Sequence, residues 1–336
     1  MSAGVSEKEP DSPGEGARKP LALVAFGGNA LLRSSDLGVM AEQQRRADAA
    51  AGWLVELVHR RYQVVVVHGN GPQVGQVLIQ MEEAANKIPP GSLDVAVAQT
   101  EGSMGYLLEK ALRNRLAADA AAPGGAEAVE VSTLLTMVVV DREDRAFAAP
   151  TKPIGPFFSR YRAQTLQRDH GWNMVEDAGR GWRKVVPSPR PVEVLGVPTL
   201  CTLLDRGDVV VAGGGGGIPV VRDPSGELVG VEAVIDKDRT AALLARHLKA
   251  DLLINLTGIP EVRKNFGGLE EQALPRLTAA EALQLLREGE FPVGSMGPKI
   301  ESALEFVEST GNEVLITDIE TLPAAMAGKG GTRLVP

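Results

Sequence analysis

The sequence predicts an α/β protein built on a mostly parallel sheet. Three observations lead there. Valine-rich apolar runs alternate with helical stripes, several of those runs end in glycine-rich turns, and 44% hydrophobic composition over 336 residues supplies a large buried core. LALVAFGGNALL (Leu21 to Leu32), VVVVHGNGPQVG (Val64 to Gly75) and VVVAGGGGGIPVV (Val209 to Val221) each pass from an apolar run into glycines. Glycines mark ordinary turns, but consecutive ones also let backbone N–H groups close on an anion with no Cβ in the way. Three such loops together predict a phosphate-handling cleft.

The elements follow in order. Leu21 to Phe26 reads as a strand, and Ala47, Ala50, Leu54, Leu57, Val58 and Arg61 form a helical stripe before the strand Val64 to Val67. That is a βαβ unit with a right-handed crossover. Pro72 suits the first turn of the next helix, where Val74, Val77, Leu78 and Met81 keep helical spacing. Met104, Leu107, Leu108, Ala111 and Leu112 mark another helix, and Leu134 to Val140 another strand. The second half repeats the alternation: strand Val209 to Ala212, helix Ala241 to Leu248, strand Leu252 to Leu256. Thr278 with Glu281 forms a capping box, Pro298 opens a helix that Gly311 stops, and Val314 to Thr317 is the final strand.

Several function classes drop out. No G-x-x-x-x-G-K-[ST] loop is present, and no glycine group spells a dinucleotide fingerprint with its ribose-binding acid. A net charge of −8 with no long basic run argues against a nucleic-acid partner. The four histidines (His59, His68, His170, His247) make no zinc spacing. Any metal is expected to be Mg²⁺ arriving with a nucleotide. Cys201 is the only cysteine and is expected to be a small buried residue. With no apolar stretch of membrane-spanning length and no signal-peptide core, the expected location is cytoplasmic, with residues 1–20 a disordered tail.

From Arg142 to Lys184 the alternation breaks. The segment holds six of the 13 aromatic residues and nine Lys/Arg against five Asp/Glu. It reads as an inserted subdomain or lid, with a small core of its own, able to close over an anionic substrate.

Seven ordered motifs then carry a resemblance: GGNA (Gly27 to Ala30), HGNGPQVG (His68 to Gly75), PTKPIGPF (Pro150 to Phe157), EDAGRGWRKVVPSP (Glu176 to Pro189), GGGGIPV (Gly214 to Val220), GVEAVIDKD (Gly230 to Asp238) and SMGPKIE (Ser295 to Glu301). In these the chain resembles carbamate kinases of the amino-acid-kinase superfamily. The resemblance implies an αβα sandwich around a mostly parallel eight-stranded sheet. It implies an acceptor lobe over residues 21–205, interrupted by the lid at 142–184, and a nucleotide lobe over residues 206–336. It also implies a homodimer, Mg²⁺ with ATP or ADP, and reversible transfer between ATP and carbamate that yields carbamoyl phosphate, often serving arginine catabolism. A same-fold kinase with another small acceptor, or a non-catalytic sensor of nucleotide or carbamoyl phosphate, keeps the same motifs.

By resemblance, Lys152 reaches the carbamate and the transferring phosphoryl group, Lys237 and Lys299 contact the nucleotide phosphates, and Asp238 organises the lysines. Asp236 and Asp238 flank Lys237, and Asp238 equally suits the N-cap of a helix beginning at Arg239. Gly27, Gly28, Asn29, Gly69, Asn70 and Gly71 are the expected acceptor-binding residues, although asparagine after glycine is also ordinary turn chemistry. Gly214, Gly215, Gly216, Thr257, Gly258 and Met296 join Lys237 and Lys299 as the expected nucleotide-binding set. His68 reads as a packed strand-end residue without a role. Ala25 stands where other superfamily members commonly carry a lysine, a gap that Lys152 fills in carbamate kinases. Ile259-Pro260-Glu261, Glu101 and Phe26 depart from the usual pattern, and the first bears on nucleotide preference.

Overall fold

The computed structural model describes residues 18–27, 39–123, 128–177, 179–292 and 296–336. The chain opens with β1 (Leu21–Phe26), helix α1 (Met40–His59) and β2 (Gln63–His68), continuing into α2 (Gly71–Ala84) and α3 (Leu93–Ala120). Arg61 lies beyond the end of α1 with a φ of 66°, so the helical stripe stops short of it. Arg18, expected in the tail, pairs with Asp251 at 2.9 Å.

The run expected as one strand from Leu134 to Val140 is divided. β3 (Val131–Thr133) belongs to the large sheet and β4 (Met137–Val140) to a second one. Between them the Thr136 hydroxyl donates back to the Leu134 carbonyl, turning the chain. The inserted segment follows as β5 (Lys152–Phe158), α4 (Arg160–His170), β6 (Met174–Glu176) and β7 (Trp182–Val186). These strands form a separate antiparallel sheet in the order β5-β7-β6. Ala163, Leu166 and Met174 fill its small core beneath Phe158, Trp172 and Trp182, whereas Phe147 packs on the main core.

The chain continues through β8 (Pro191–Val194), α5 (Val197–Asp205), β9 (Val209–Val211), β10 (Ile218–Arg222) and β11 (Leu228–Gly230). Cys201 is exposed, contrary to the sequence reading, because α5 buries Leu200 and Leu204 one turn apart and turns Cys201 outward. The remainder is α6 (Lys237–His247), β12 (Leu252–Leu256), β13 (Arg263–Lys264), β14 (Gln272–Ala273), β15 (Arg276–Thr278), α7 (Ala279–Arg287), α8 (Met296–Thr310), β16 (Glu313–Thr317), α9 (Leu322–Met326) and β17 (Thr332–Val335). Thr278 and Glu281 make the capping box of α7, and Gly311 follows α8 at φ 72°.

The eight strands of the large sheet run β15-β17-β16-β12-β1-β2-β9-β3, and only β16 with β17 is antiparallel. β9, beyond residue 206, therefore lies between β2 and β3. Strand periodicity divides the core between the two faces. Leu21, Leu23, Ala25, Val65 and Val67 face a cluster that includes Ala241, Leu244, Ile300 and Phe306 from α6 and α8. Ala22, Val24, Phe26, Val64 and Val66 face Leu54 of α1 and Leu108 and Leu112 of α3. This is an αβα sandwich. No described helix is long and apolar enough to cross a membrane.

Candidate active site

Four parallel strands bring their carboxyl ends to one edge of the sheet. Gly27 follows β1, Gly69 to Gly71 follow β2, Gly213 to Gly217 follow β9, and Thr257 and Gly258 follow β12. In open α/β sheets this edge is where ligands bind. Gly28 and Asn29 lie outside the described residues. Gly69 N–H donates to the Phe26 carbonyl at 2.7 Å, locking the first two loops side by side. Thr257 N–H donates to the Thr317 carbonyl at 2.8 Å. The Pro260 carbonyl accepts from Thr317 Oγ1, and Glu261 pairs with Arg263, so Ile259-Pro260-Glu261 is held by its neighbours.

The β9 loop depends on glycine. Gly213, Gly215, Gly216 and Gly217 have φ between 66° and 93°, and Gly214 to Gly216 are buried. A Cβ on Gly214 would stand 2.3 Å from His68 Nε2, and one on Gly215 would stand 2.3 Å from Asn70 Nδ2. Side chains from β2 and its loop thus pack directly on the glycine backbone.

Beside this loop α6 begins, four residues earlier than the apolar stripe indicated. Its N-cap is Asp236, whose Oδ1 accepts from Asp238 N–H at 2.9 Å; Asp238 itself sits in the first turn. The competing reading of Asp238 as the cap is therefore corrected. A cap fixes Asp236, and the helix phase that follows turns Asp238 into the interior.

Three lysines converge there. Lys237 Nζ lies 2.6 Å from Asp238 Oδ1, and Lys299 Nζ, from the first turn of α8, lies 2.7 Å from Asp238 Oδ2. Lys152 Nζ, at the start of β5 in the insert, reaches Asp236 Oδ2 at 2.8 Å. Three ammonium groups against two carboxylates leave one net positive charge. Burial by itself would raise Asp236 and Asp238. The ammoniums of Lys152 beside Asp236, and of Lys237 and Lys299 beside Asp238, override it and hold both below the usual carboxylate range. Burial lowers Lys237 to about 8 despite Asp238. For Lys299 burial acts the same way, but contact with Asp238 and the charge of Asp236 outweigh it and raise the group.

Arg239 and Glu301, each two residues beyond a lysine of the cluster, pair at 3.2 Å between α6 and α8. Met296, at the first residue of α8, is buried. Asn70 is also buried and donates to Thr100 Oγ1 at 2.9 Å. No cluster of three or more candidate metal-ligating side chains occurs among the described residues.

Sequence reasoning found all three lysines and both carboxylates but missed what stands behind the loops. Glu101 is buried on α3, and its Oε1 accepts from Gly214 N–H at 2.9 Å and from Thr136 N–H at 3.2 Å. Burial lifts its carboxyl to about 8 against these donors. His68, fully buried, is pushed down to about 4 by desolvation, and its Nε2 has no hydrogen-bond partner. Two signals pointed to Glu101, its departure from the usual pattern and its place as a charged residue inside the apolar face of a long helix, but neither said what it holds.

Glycine loops and converging ammonium groups at the carboxyl edge of a parallel sheet define an α/β protein that handles phosphate. Residues 20–318 match the amino acid kinase family. The chain is 44% identical to the carbamate kinase-like protein YahI of Escherichia coli, covering 94% of this chain and 99% of that one. It is 40% identical to carbamate kinase of Thermococcus kodakarensis, over 93% and 98% of the two chains. Carbamate kinase from Giardia lamblia bound to AMP-PNP superposes with a TM-score of 0.85 at 37% identity, over 94% of this chain and 98% of that one. The chain belongs to the amino acid kinase family, within its carbamate kinase branch.

Proposed function

We propose that this protein is an ATP-dependent carbamate kinase, transferring a phosphoryl group reversibly between ATP and carbamate to give ADP and carbamoyl phosphate. The observation that carries this reading is the convergence of Lys152, Lys237 and Lys299 on Asp236 and Asp238 beside the glycine loop. Its identity to carbamate kinases over nearly the whole chain supports the choice of acceptor.

The chemistry needs this cluster because both reactants are anions. Two unit charges about 4 Å apart interact by about 4 kcal/mol at an effective dielectric of about 20. A helix N-terminus offers only about 0.3–1 kcal/mol at exposed sites. The ammonium groups therefore dominate, and the N–H groups of the loop supply alignment. A carbamate oxygen attacks the γ-phosphorus while the bond to the bridging oxygen of ADP breaks. Carbamate is already an oxyanion, so no residue has to take a proton. Lys152 serves the acceptor and the phosphoryl group in flight, and Lys237 and Lys299 serve the nucleotide phosphates. Asp236 and Asp238 hold all three in place. Gly27, Gly69, Asn70 and Gly71 serve the acceptor side, and the GGNA motif assigns Gly28 and Asn29 to the same role. Gly214 to Gly216, Thr257, Gly258 and Met296 line the nucleotide side.

Both carboxylates are committed to lysines, so Mg²⁺ would be held by the nucleotide phosphates and water and would supply further charge to offset their repulsion. The active form is a cytoplasmic homodimer. Val95 and Tyr106 on α3 are exposed, and exposed Leu135 lies beside Gly102 between them, giving an apolar face suited to a second copy. Arginine catabolism is the metabolic setting.

The deciding experiment measures ATP formation from ADP and carbamoyl phosphate, with acetyl phosphate as the comparison. Turnover with carbamoyl phosphate, lost on Lys152→Ala, is expected. Turnover with acetyl phosphate alone transfers the assignment to another acceptor, and nucleotide binding without turnover makes the protein a sensor.

A further inference from the structure

Two adjacent residues of α3 hold the two halves of the site. Thr100 Oγ1 accepts from Asn70 Nδ2 at 2.9 Å while donating to the Val97 carbonyl at 2.8 Å. Next to it, Glu101 Oε1 accepts from Gly214 N–H at 2.9 Å. Thr136, whose own N–H rests on Glu101 at 3.2 Å, accepts from Gly213 N–H through Oγ1 at 2.9 Å. All of these residues are buried, and Asn70 stands against Gly215, where a Cβ would reach within 2.3 Å of its amide nitrogen. The acceptor loop and the phosphate loop therefore meet, and one turn of a single helix grips both.

Neither Thr100 nor Glu101 has a part in the chemistry above. From this geometry we propose that they are positioning residues, setting the spacing of Asn70 against the Gly213 to Gly217 loop so that acceptor and phosphoryl group lie in line. The inference rests on the carbamate kinase reading for its substrates. The physical ground is rigidity: a helix turn fixes its two side chains relative to each other, whereas two loops joined only by packing can slide. Misplacement of reacting groups by about 1 Å can cost about 100-fold in rate.

The test uses the full chain with Thr100→Val, Glu101→Leu and Glu101→Gln. With ADP and carbamoyl phosphate, kcat should fall at least about 10-fold in the first two, with the Kd for AMP-PNP held within about threefold. Glu101→Gln, which keeps an acceptor oxygen for Gly214, should recover most of the loss suffered by Glu101→Leu. Amide exchange at Gly213 to Gly217 should quicken in Glu101→Leu and return towards the parent rate in Glu101→Gln. Unchanged kcat in folded Thr100→Val and Glu101→Leu overturns the proposal, as does an AMP-PNP affinity loss equal to the loss in kcat. If the parent chain itself lacks turnover, the carbamate kinase reading fails. The exchange measurement then decides this inference alone: parent-like exchange in Glu101→Leu rejects it, and acceleration reversed by Gln supports the grip.

Discussion

Lys299 reaches Asp238 across 61 residues of sequence to form a 2.7 Å contact, on the oxygen opposite the one held by Lys237. One buried carboxylate thus spaces two ammonium groups that would otherwise repel. Asp238→Asn should damage both stability and activity. Breaking one partner of a buried ion pair costs about 3–5 kcal/mol, since the remaining charges lose their compensation. Denaturant unfolding and turnover should fall together, and a parent-like unfolding midpoint would refute the spacing role.

The lysines should separate by kinetic signature. Lys152 comes from the insert and meets Asp236, whereas Lys299 comes from α8. Lys152→Ala should lower kcat by about 100-fold or more with AMP-PNP affinity within about threefold. Lys299→Ala should weaken AMP-PNP by about 10-fold as well as slow turnover. Titration calorimetry beside steady-state kinetics reads both, and identical signatures would erase the distinction.

Glu101 gives stability a defined pH dependence. Its carboxyl is raised from 4.5 to about 8 in the fold, so the folded state binds the extra proton between these values and stability falls as pH rises through that window. His68, lowered from 6.5 to about 4, acts with the opposite sign between 4 and 6.5. The two oppose each other up to pH 6.5; above it the Glu101 effect leads, until Lys237, lowered to about 8, begins to oppose it as the pH nears 8. Urea unfolding of the parent should weaken over pH 6.5 to 8, and Glu101→Gln should flatten that slope. An equal slope in both proteins would count against a raised carboxyl.

The insert is seated through a glycine pair. A Cβ on Gly75 of α2 would lie 1.9 Å from Gly155 Cα of β5, backbone against backbone with no side chain to yield. Gly75→Ala should displace the strand that carries Lys152, lowering both Tm and turnover. Gly52→Ala in α1, where a new Cβ meets nothing within 4 Å, should instead raise stability by about 0.5–1 kcal/mol. Thermal melts of the two variants give opposite signs if the contact is as described.

The apolar face of α3 should govern association. Tyr106 is 59% exposed and Leu135 61%. Tyr106→Glu with Leu135→Glu should shift light-scattering mass from dimer to monomer, and an unchanged dimer would move the interface elsewhere.

The three lysines were legible only through the resemblance of their motifs to a known family; amino-acid order by itself determined the alternation of strands and helices, the glycine turns that end β1, β2 and β9, and the aromatic insert. These are local signals: side-chain period, missing Cβ atoms and caps act over a few residues. Only the tertiary structure decided that Asp236 rather than Asp238 caps α6, that Lys152 meets Asp236, and that Thr100 and Glu101 stand behind the loops. It also split the run from Leu134 to Val140 between two sheets and turned Cys201 to solvent. The reason is physical. Pairings between residues 30 to 113 positions apart depend on sheet order and helix phase, which no short window of sequence contains.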